Sequence, residues 1–408
     1  MGAMLKAVTI LTFAVVLPAC SGPSGESAGP PGGDSGTLDA AVEATVDAHA
    51  DAGPDVIVEV DAGDAAVDAP LTPACAMRAS SLQTALDQAR GQSPGAVLAV
   101  LTPDCGKWVG ATGTSTPGTP LDPGDVLRIG SITKTSVATA VLQLVTAGTV
   151  SLTDPLEKWV PGFPNGTAIT IRQVLNHTSG IFNYTDDTTF QQTEGATPST
   201  VWTPAQLVAI AASHAPYFAP GMGWTYSNTD YILAGMLLEK ATGKKAGSVI
   251  HSLAIDKAGL KLTTLDGYEA NKGTLAHGFA MSGADVTSIY DPSYAWTAGA
   301  MVSSGGDLID WAAALYGGNV LDAAALALMG TTVDTGTAGE RYGLGLFVLD
   351  PSLTGGTTAW GHPGDINGYH SQLFYFPAKK IAVAAIVNGD SGDPNAVTVA
   401  ALGVLGYP

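Results

Sequence analysis

Three short polar motifs follow one another along the chain, and the first of them can activate a nucleophile. In Ser131-Ile132-Thr133-Lys134, the serine and the lysine are three residues apart at the start of a predicted helix, 131–147. Residues at i and i+3 share one helix face, so the lysine amine can reach the serine hydroxyl. Such an amine can accept the hydroxyl proton, and a helix N-terminus favours developing negative charge. The alternative is that Ser131 and Lys134 are solvated side chains at a helix start.

The second motif is Tyr226-Ser227-Asn228. A tyrosine acts as a general base only where neighbouring cations lower its pKa from about 10, and Lys134 is the candidate cation. Asn228 can orient Lys134 and hydrogen-bond a substrate carbonyl. Taken alone, this motif favours a structural interpretation, with Tyr226 and Asn228 capping a predicted helix at 230–241.

The third motif is His362-Pro363-Gly364, which falls between predicted strands at 342–349 and 371–376. A basic side chain followed by glycine on an edge strand lets a substrate backbone pair against the sheet. A lone histidine is more often structural than catalytic. Its place after the other two motifs favours a functional role for His362.

The remaining elements indicate how these motifs are held. Strands are predicted at both ends of the sequence, and the region between them is mostly helical. We therefore expect strands from the two chain ends to meet in one antiparallel sheet, interrupted by a helical insertion. The further predicted elements are a helix at 75–91, strands at 96–102 and 107–113, a helix at 308–315, a strand at 381–388 and a helix at 396–405.

Ser-x-x-Lys, Tyr-x-Asn and His-x-Gly in this order resemble the penicillin-recognising serine hydrolases. Within them, the chain looks like the branch of D-alanyl-D-alanine carboxypeptidases, class C β-lactamases and related esterases. The resemblance covers essentially all of 75–408 and implies an α+β, β-lactamase-like fold. In that fold, an antiparallel sheet flanked by helices meets an all-helical lobe, and the active site lies between them. Supporting stretches are 128–134, 152–156, 175–180, 298–304 and 342–345.

The resemblance also implies a role for each motif residue. Ser131 would be acylated, and Lys134 and Tyr226 would shuttle its proton. Asn228 would position the substrate amide, and His362 would complete the electrostatics. No metal or other cofactor is implied, and the seven histidines show no spacing typical of metal ligands.

The residues after His362 would contact the substrate. The backbone N–H groups of Ser131 and Asp365 would form the oxyanion hole, and Pro363 and Gly364 would line the substrate site with Asn228. Carboxypeptidases of the family usually have Thr or Ser at the Pro363 position, where the hydroxyl binds the substrate's terminal carboxylate. Proline has no such hydroxyl, and the charge of Asp365 would repel a carboxylate.

The substrate therefore stays open among several classes. The first expectation is a D-alanyl-D-alanine carboxypeptidase-like peptidase acting on peptidoglycan stem peptides. An esterase or D-amino-acid amidase/peptidase of the same fold comes next. A class C-like β-lactamase comes third. Its rank is lower because His362 stands where those enzymes favour lysine. Outside the enzyme class, a non-catalytic muropeptide-binding module would not need Ser131, Lys134 and Tyr226 together.

The N-terminal residues predict export. Residues 1–20 combine one cation, an eleven-residue apolar run and Leu-Pro-Ala-Cys, typical of a lipoprotein signal in which Cys20 becomes lipidated. An ordinary secretory signal is the alternative. We expect a periplasm-facing membrane lipoprotein. Residues 21–74 are rich in Ala, Asp, Gly and Pro and lack aromatic residues, so we expect a disordered tether before a hydrolase domain at 75–408.

Charge and cysteine usage fit this organisation. The formal net charge is −19, which excludes a nucleic-acid partner because such a surface repels phosphate. Much of the acidity falls in the tether, so it says little about the substrate, which we expect to be a small molecule or peptide. In an oxidising compartment, Cys75 and Cys105 would form a disulfide, with two free thiols as the alternative.

Overall fold

The computed structural model describes residues 71–407. The predicted signal peptide 1–20, the lipidation site Cys20 and the tether up to residue 70 lie outside the described residues. The first helix begins at Pro73, two residues before the predicted start, and the side chain of Thr72 caps it by accepting from the N–H of Cys75. Within 71–407, no helix is long and apolar enough to cross a membrane.

The strands of the described region fall into two sheets. In chain order they are β1 (Gly95–Thr102), β2 (Gly106–Thr116), β3 (Thr119–Pro120), β4 (Leu127–Arg128), β5 (Thr264–Leu265), β6 (Met301–Ser303), β7 (Val333–Asp334), β8 (Glu340–Tyr342), β9 (Phe347–Leu349), β10 (Ala359–Ile366), β11 (Tyr369–Phe376) and β12 (Ile381–Val387).

The larger sheet joins the two ends of the chain. Its strand order is β3-β2-β1-β12-β11-β10-β9-β8-β7, with antiparallel pairing between neighbours. β1 pairs with β12 in a register that sets Ala96 opposite Val387. The prediction of one antiparallel sheet built from both chain ends is confirmed. A smaller sheet, β4-β6-β5, lies beside it.

Twelve α-helices lie in the described region. In chain order they are α1 (Pro73–Ala89), α2 (Thr133–Thr146), α3 (Ile171–Leu175), α4 (Thr188–Ala196), α5 (Pro204–Ala212), α6 (Asn228–Thr242), α7 (Ala246–Ile250), α8 (Asp256–Ala258), α9 (Trp296–Gly299), α10 (Gly305–Tyr316), α11 (Ala323–Met329) and α12 (Pro394–Val404). The helical lobe between β4 and β6 contains α2 to α9.

Helices cover both faces of the larger sheet, because its central strands are apolar on both sides. Side chains alternate across a strand, so Leu98 of β1 packs towards α1 and α12 and contributes to one core cluster with Leu86. Val97 points the other way, into the core shared with the helical lobe and α10. This second core contains residues of both the sheet and the helical lobe, and it holds the two together.

One detail of the sheet differs from prediction. The strand predicted at 342–349 is divided into β8 and β9 by a turn in which the N–H of Gly343 donates to the carbonyl of Leu346. Gly345 in this turn has φ of +81° and lies close to the backbone of Lys134. A side chain there would collide with the catalytic-motif helix, so the chain turns where its apolar pattern suggested a continuous strand.

A disulfide ties α1 to the β1–β2 hairpin. Cys75 and Cys105 are bonded, with their α-carbons 5.4 Å apart. Beside it, Arg78 pairs with Asp104 at 2.8 Å.

Candidate active site

Ser131 stands on a single 3-10 turn, Gly130–Ile132, that leads into α2. Gly130 has φ of +51°, and a Cβ built on it would lie 2.5 Å from the backbone nitrogen of Asp365. Gly364 is equally confined, since its Cβ would lie 2.0 Å from the carbonyl oxygen of Ile129. The two glycines let β10 pack directly on the serine turn. The backbones that carry the N–H groups of Ser131 and Asp365, the predicted oxyanion hole, are therefore in direct contact.

Lys134 is fully buried and reaches three oxygen atoms. Its Nζ lies 2.9 Å from Ser131 Oγ, 2.8 Å from Asn228 Oδ1 and 2.7 Å from the carbonyl oxygen of Ala298. Burial lowers the pKa of Lys134 well below its ordinary value, which the charges of Asp230 and Asp365 only partly oppose. A neutral amine has two N–H donors and one lone pair. Asn228 and Ala298 can take the two donors, which leaves the lone pair for the hydroxyl proton of Ser131.

Tyr226 lies over the same amine, with Nζ of Lys134 4.8 Å from its ring centroid. Burial raises the pKa of the Tyr226 hydroxyl, which a hydrogen bond with Ser131 only partly offsets. An anionic Tyr226 was expected only where a neighbouring cation lowers its pKa. The structure gives the opposite direction, because burial raises the pKa of Tyr226 and also disfavours the charged form of Lys134. Tyr226 is therefore a neutral hydroxyl beside Ser131, suited to relay a proton and not to act as the starting base.

Asn228 is the first residue of α6, so the helix begins two residues before its predicted start. Its N–H donates to Asn183 Oδ1 at 3.0 Å, and its side chain contacts Lys134 as expected. Its amide Nδ2 lies 3.5 Å from Thr185 Oγ1. That weak contact leaves Nδ2 able to donate to a substrate carbonyl.

His362 is placed differently from the expectation of a charged partner. It is only 1% exposed, with Nε2 3.1 Å from the Tyr342 hydroxyl and Nδ1 2.5 Å from the carbonyl oxygen of Pro363. Burial lowers the pKa of His362 to about 3. The ring is therefore neutral at pH 7 and adds no positive charge. The centroid of the His362 ring lies 6.1 Å from that of the Tyr226 ring, so His362 packs against Tyr226.

The substrate-facing edge of the sheet is acidic. Among residues 71–407, β10 pairs beyond Gly361 with β11 alone, so Pro363 lies on an open strand edge as expected. The exposed side chain of Asp365 accepts from His370 Nδ1 at 2.5 Å. Burial opposes a charge on His370, yet the hydrogen bond and charge of Asp365 raise its pKa above the ordinary value. The side chain of Asp365 turns towards His370, while its negative charge still acts on Lys134 and Tyr226.

A buried histidine–carboxyl pair lies behind these residues. His177 Nδ1 is 3.0 Å from Asp230 Oδ2, and Ser179 Oγ donates to the other oxygen of Asp230 at 2.7 Å. Burial lowers the pKa of His177 and raises that of Asp230. The His177 ring packs 4.5 Å from the Tyr226 ring. His177 therefore supports Tyr226 from outside the three motifs.

Some contributors had no signal in the sequence. The carbonyl of Ala298 is a backbone group, which any residue type supplies. Thr185 and Asn183 lie in a loop without a recognisable motif. Asp230 follows Asn228 by two residues on a predicted helix, which gave it no distinguishing feature.

Fold and site together define a serine hydrolase of the β-lactamase and penicillin-binding-protein type. The β-lactamase family model matches residues 75–406, so the chain belongs to the β-lactamase family. The predicted superfamily, fold class and enzyme class are confirmed.

Solved structures of two amide hydrolases are similar over most of their length. A D-stereospecific amidohydrolase from Streptomyces sp. is 37% identical with a TM-score of 0.71, covering 78% of this chain and 96% of that one. The D-amino acid amidase from Ochrobactrum anthropi SV3, complexed with D-phenylalanine, is 27% identical with a TM-score of 0.72. That alignment covers 81% of this chain and 99% of the amidase.

Several curated relatives match over shorter segments. The D-alanyl-D-alanine-carboxypeptidase/endopeptidase AmpH of Escherichia coli K12 is 32% identical over 162 residues, which is 37% of this chain and 40% of that protein. Alignments with two further penicillin-binding proteins span 31% and 54% of their length. The chain thus spans about a third to about half of these relatives.

Proposed function

We propose that this chain is an exported serine hydrolase that cleaves amide bonds of D-amino-acid amides or short D-peptides through an acyl-Ser131 intermediate. The observation that carries the proposal is the desolvated amine of Lys134, 2.9 Å from Ser131 Oγ. A lysine with a lowered pKa and a lone pair aimed at a hydroxyl is a suitable general base for that nucleophile.

The reaction follows from these contacts. Ser131 Oγ attacks the substrate carbonyl carbon as its proton passes to Lys134 Nζ. The backbone N–H groups of Ser131 and Asp365 stabilise the resulting oxyanion, a contribution of roughly 2.7–4 kcal/mol per donor. The proton then reaches the leaving amine from Lys134 through the Tyr226 hydroxyl as the C–N bond breaks. A water molecule attacks the acyl-serine, and the same groups return the proton to Ser131 Oγ.

The charge around the site favours a cationic or neutral substrate over a carboxylate. Among residues 71–407, the basic side chains of the three motifs are Lys134 and His362, and burial lowers the pKa of both. Arg128, three residues before Ser131 in the sequence, forms an ion pair with Asp266, with Nε 2.8 Å from Oδ2. The exposed carboxylate of Asp365 lies at the oxyanion donor, and its charge is only partly offset by the hydrogen-bonded His370. A free α-ammonium group would be attracted there, and a terminal carboxylate would be repelled.

The similarity to the Streptomyces amidohydrolase supports the same substrate class, because it extends over 96% of that chain. A D-alanyl-D-alanine carboxypeptidase is the second candidate, favoured by the similarity to AmpH. It was the first expectation from sequence. It ranks second because Pro363 offers no hydroxyl and Asp365 opposes the carboxylate that such a substrate carries.

Substrate preference tests the proposal. We expect D-alanine amide to be hydrolysed at least about tenfold faster, in kcat/KM, than L-alanine amide or an acylated peptide ending in D-Ala-D-Ala. Asp365→Asn should raise KM for the cationic amide about tenfold while changing KM for a neutral ester little. Asp87→Asn, on the exposed face of α1, is the matched control. Preference for the acylated D-Ala-D-Ala peptide would instead support the carboxypeptidase.

The proposed location rests on sequence alone. Signal cleavage before Cys20 and its lipidation would place the domain 75–408 on a tether at the periplasmic face of a membrane. Cys20→Ser should move the protein from the membrane fraction to the soluble fraction of the exported material. A wild-type protein found in the soluble fraction would contradict the anchor.

A further inference from the structure

One end of the active site is bridged by a hydrogen bond between the two halves of the molecule. The hydroxyl of Tyr294 donates to Asn367 Oδ1 at 2.5 Å. Tyr294 ends the turn that precedes α9 in the helical lobe, and Asn367 lies in the turn between β10 and β11 of the sheet. The contact therefore crosses from lobe to sheet.

The lobe side of this bridge is firmly supported. The hydroxyl of Tyr184 donates to the carbonyl of Tyr294 at 2.5 Å. The Phe190 ring packs 5.1 Å from Tyr184 and 5.3 Å from Trp202. The backbone N–H of Trp202 donates to Ser293 Oγ at 2.8 Å. On the lobe side, the bridge is therefore held by packed aromatic side chains and backbone hydrogen bonds.

The direction of the substrate follows from the proton path. The leaving amine must lie beside the Tyr226 hydroxyl, from which it takes its proton. β10 runs from His362, next to Tyr226, to the turn at Asn367. The carbonyl oxygen is held at Asp365, so the acyl portion of the substrate must extend towards Asn367.

The distance available there is short. Asn367 is two residues beyond Asp365 and one beyond the end of β10, so extended geometry gives at most about 7 Å for that span. This length accommodates the side chain and amino group of one residue, but not a second residue or a long acyl chain.

We infer that the Tyr294–Asn367 bridge closes the acyl side of the site, so that the enzyme removes single N-terminal residues or short acyl groups. The inference rests on the proposed acyl-Ser131 mechanism and deepens it by defining the length of the acyl portion. Substrates with long leaving groups remain acceptable, since the bridge lies on the opposite side from Tyr226.

A series of p-nitrophenyl esters tests this length limit. We expect the wild-type kcat/KM for the octanoate ester to be at least about tenfold below that for the acetate. Tyr294→Ala should raise the octanoate-to-acetate ratio at least about tenfold, and Asn367→Ala should raise it in the same direction. Tyr294→Phe, which keeps the ring and loses the hydrogen bond, should give a smaller increase. Tyr407→Phe, near the C-terminus, is the matched control.

Two results would overturn the inference: a wild-type ratio near one, or an unchanged ratio in both Ala variants with wild-type melting temperatures. If Tyr294→Ala does not fold, Asn367→Ala decides. The esters carry neither an amino group nor a stereocentre. Their result therefore stays readable even if the preference for D-amino-acid amides proves wrong, and the two proposals fail separately.

Discussion

The α-carbon of Gly130 packs so closely on the backbone of Asp365 that a Cβ on the glycine would lie 2.5 Å from the Asp365 nitrogen. The serine turn and β10 are thus in direct backbone contact, although 235 residues separate the two positions. This contact sets the spacing between the two N–H groups of the proposed oxyanion hole.

Gly130→Ala should therefore damage catalysis more than folding. The added methyl group would push Asp365 away from Ser131, and loss of one oxyanion donor lowers kcat by about 10²–10³. Steady-state kinetics and thermal melting would measure the two effects. Gly118→Ala is the matched control, because Gly118 also has a positive φ, +82°, but no atom of the described residues lies within 4 Å of its Cβ position. Equal kinetic losses in the two variants would contradict this account.

The pH dependence of kcat/KM should report the buried amine of Lys134. The base form is the neutral amine, so activity should rise with pH through the pKa of Lys134, which burial places well below 10.5. Tyr226 should add no alkaline limb near neutrality, since burial raises its pKa. Lys158→Gln, at an exposed lysine, should keep the profile. An activity rise centred near 10.5 would contradict a lowered pKa for Lys134.

His362 should affect stability at acid pH. Its pKa is about 3 in the folded protein and about 6.5 in the unfolded chain. Between these values the unfolded state binds a proton that the folded state does not, so stability falls as pH falls through this window, by up to about 1.4 kcal/mol per pH unit. Urea unfolding of His362→Gln should show less loss between pH 6.5 and pH 4 than wild type. An unchanged pH dependence would argue against a buried neutral His362.

The Cys75–Cys105 disulfide should stabilise the fold without contributing to turnover. It joins residues separated by 30 positions, and closure of a loop of that size is worth about 3–4 kcal/mol. A double Cys75→Ser, Cys105→Ser variant should unfold at lower denaturant concentration, with kcat for a p-nitrophenyl ester within about twofold of wild type. A large fall in kcat in the folded variant would contradict this, because it would show that the disulfide also holds the active-site residues in position.

Much of the site could be predicted from sequence because helix spacing and motif order are local. The i, i+3 relation of Ser131 and Lys134 and the place of Asn228 before α6 depend on near neighbours. The neutral state of His362 could not be predicted, because it arises from burial against Tyr342, a residue of another strand. The Tyr294–Asn367 bridge likewise joins two turns that only the packed lobe and sheet bring together.

The fold shows the same division. Strands with continuous apolar patterns, such as β1 and β12, were found in the sequence within one residue. The turn between β8 and β9 was missed because its cause lies in α2: Gly345 must leave room for the backbone of Lys134. That constraint comes from a segment about 200 residues earlier, and Gly343 and Gly345 are its local trace in the sequence.

The most direct test of the central claim is rapid-quench intact-mass spectrometry during turnover of a p-nitrophenyl ester by wild-type protein and Ser131→Ala. The account predicts a mass increase equal to one acyl group in the wild type, located by peptide mapping to Ser131 and absent from Ser131→Ala. Lys134→Ala should form that adduct at least about a hundredfold more slowly. Hydrolysis without an adduct, or an adduct that persists in Ser131→Ala, would contradict the acyl-serine mechanism.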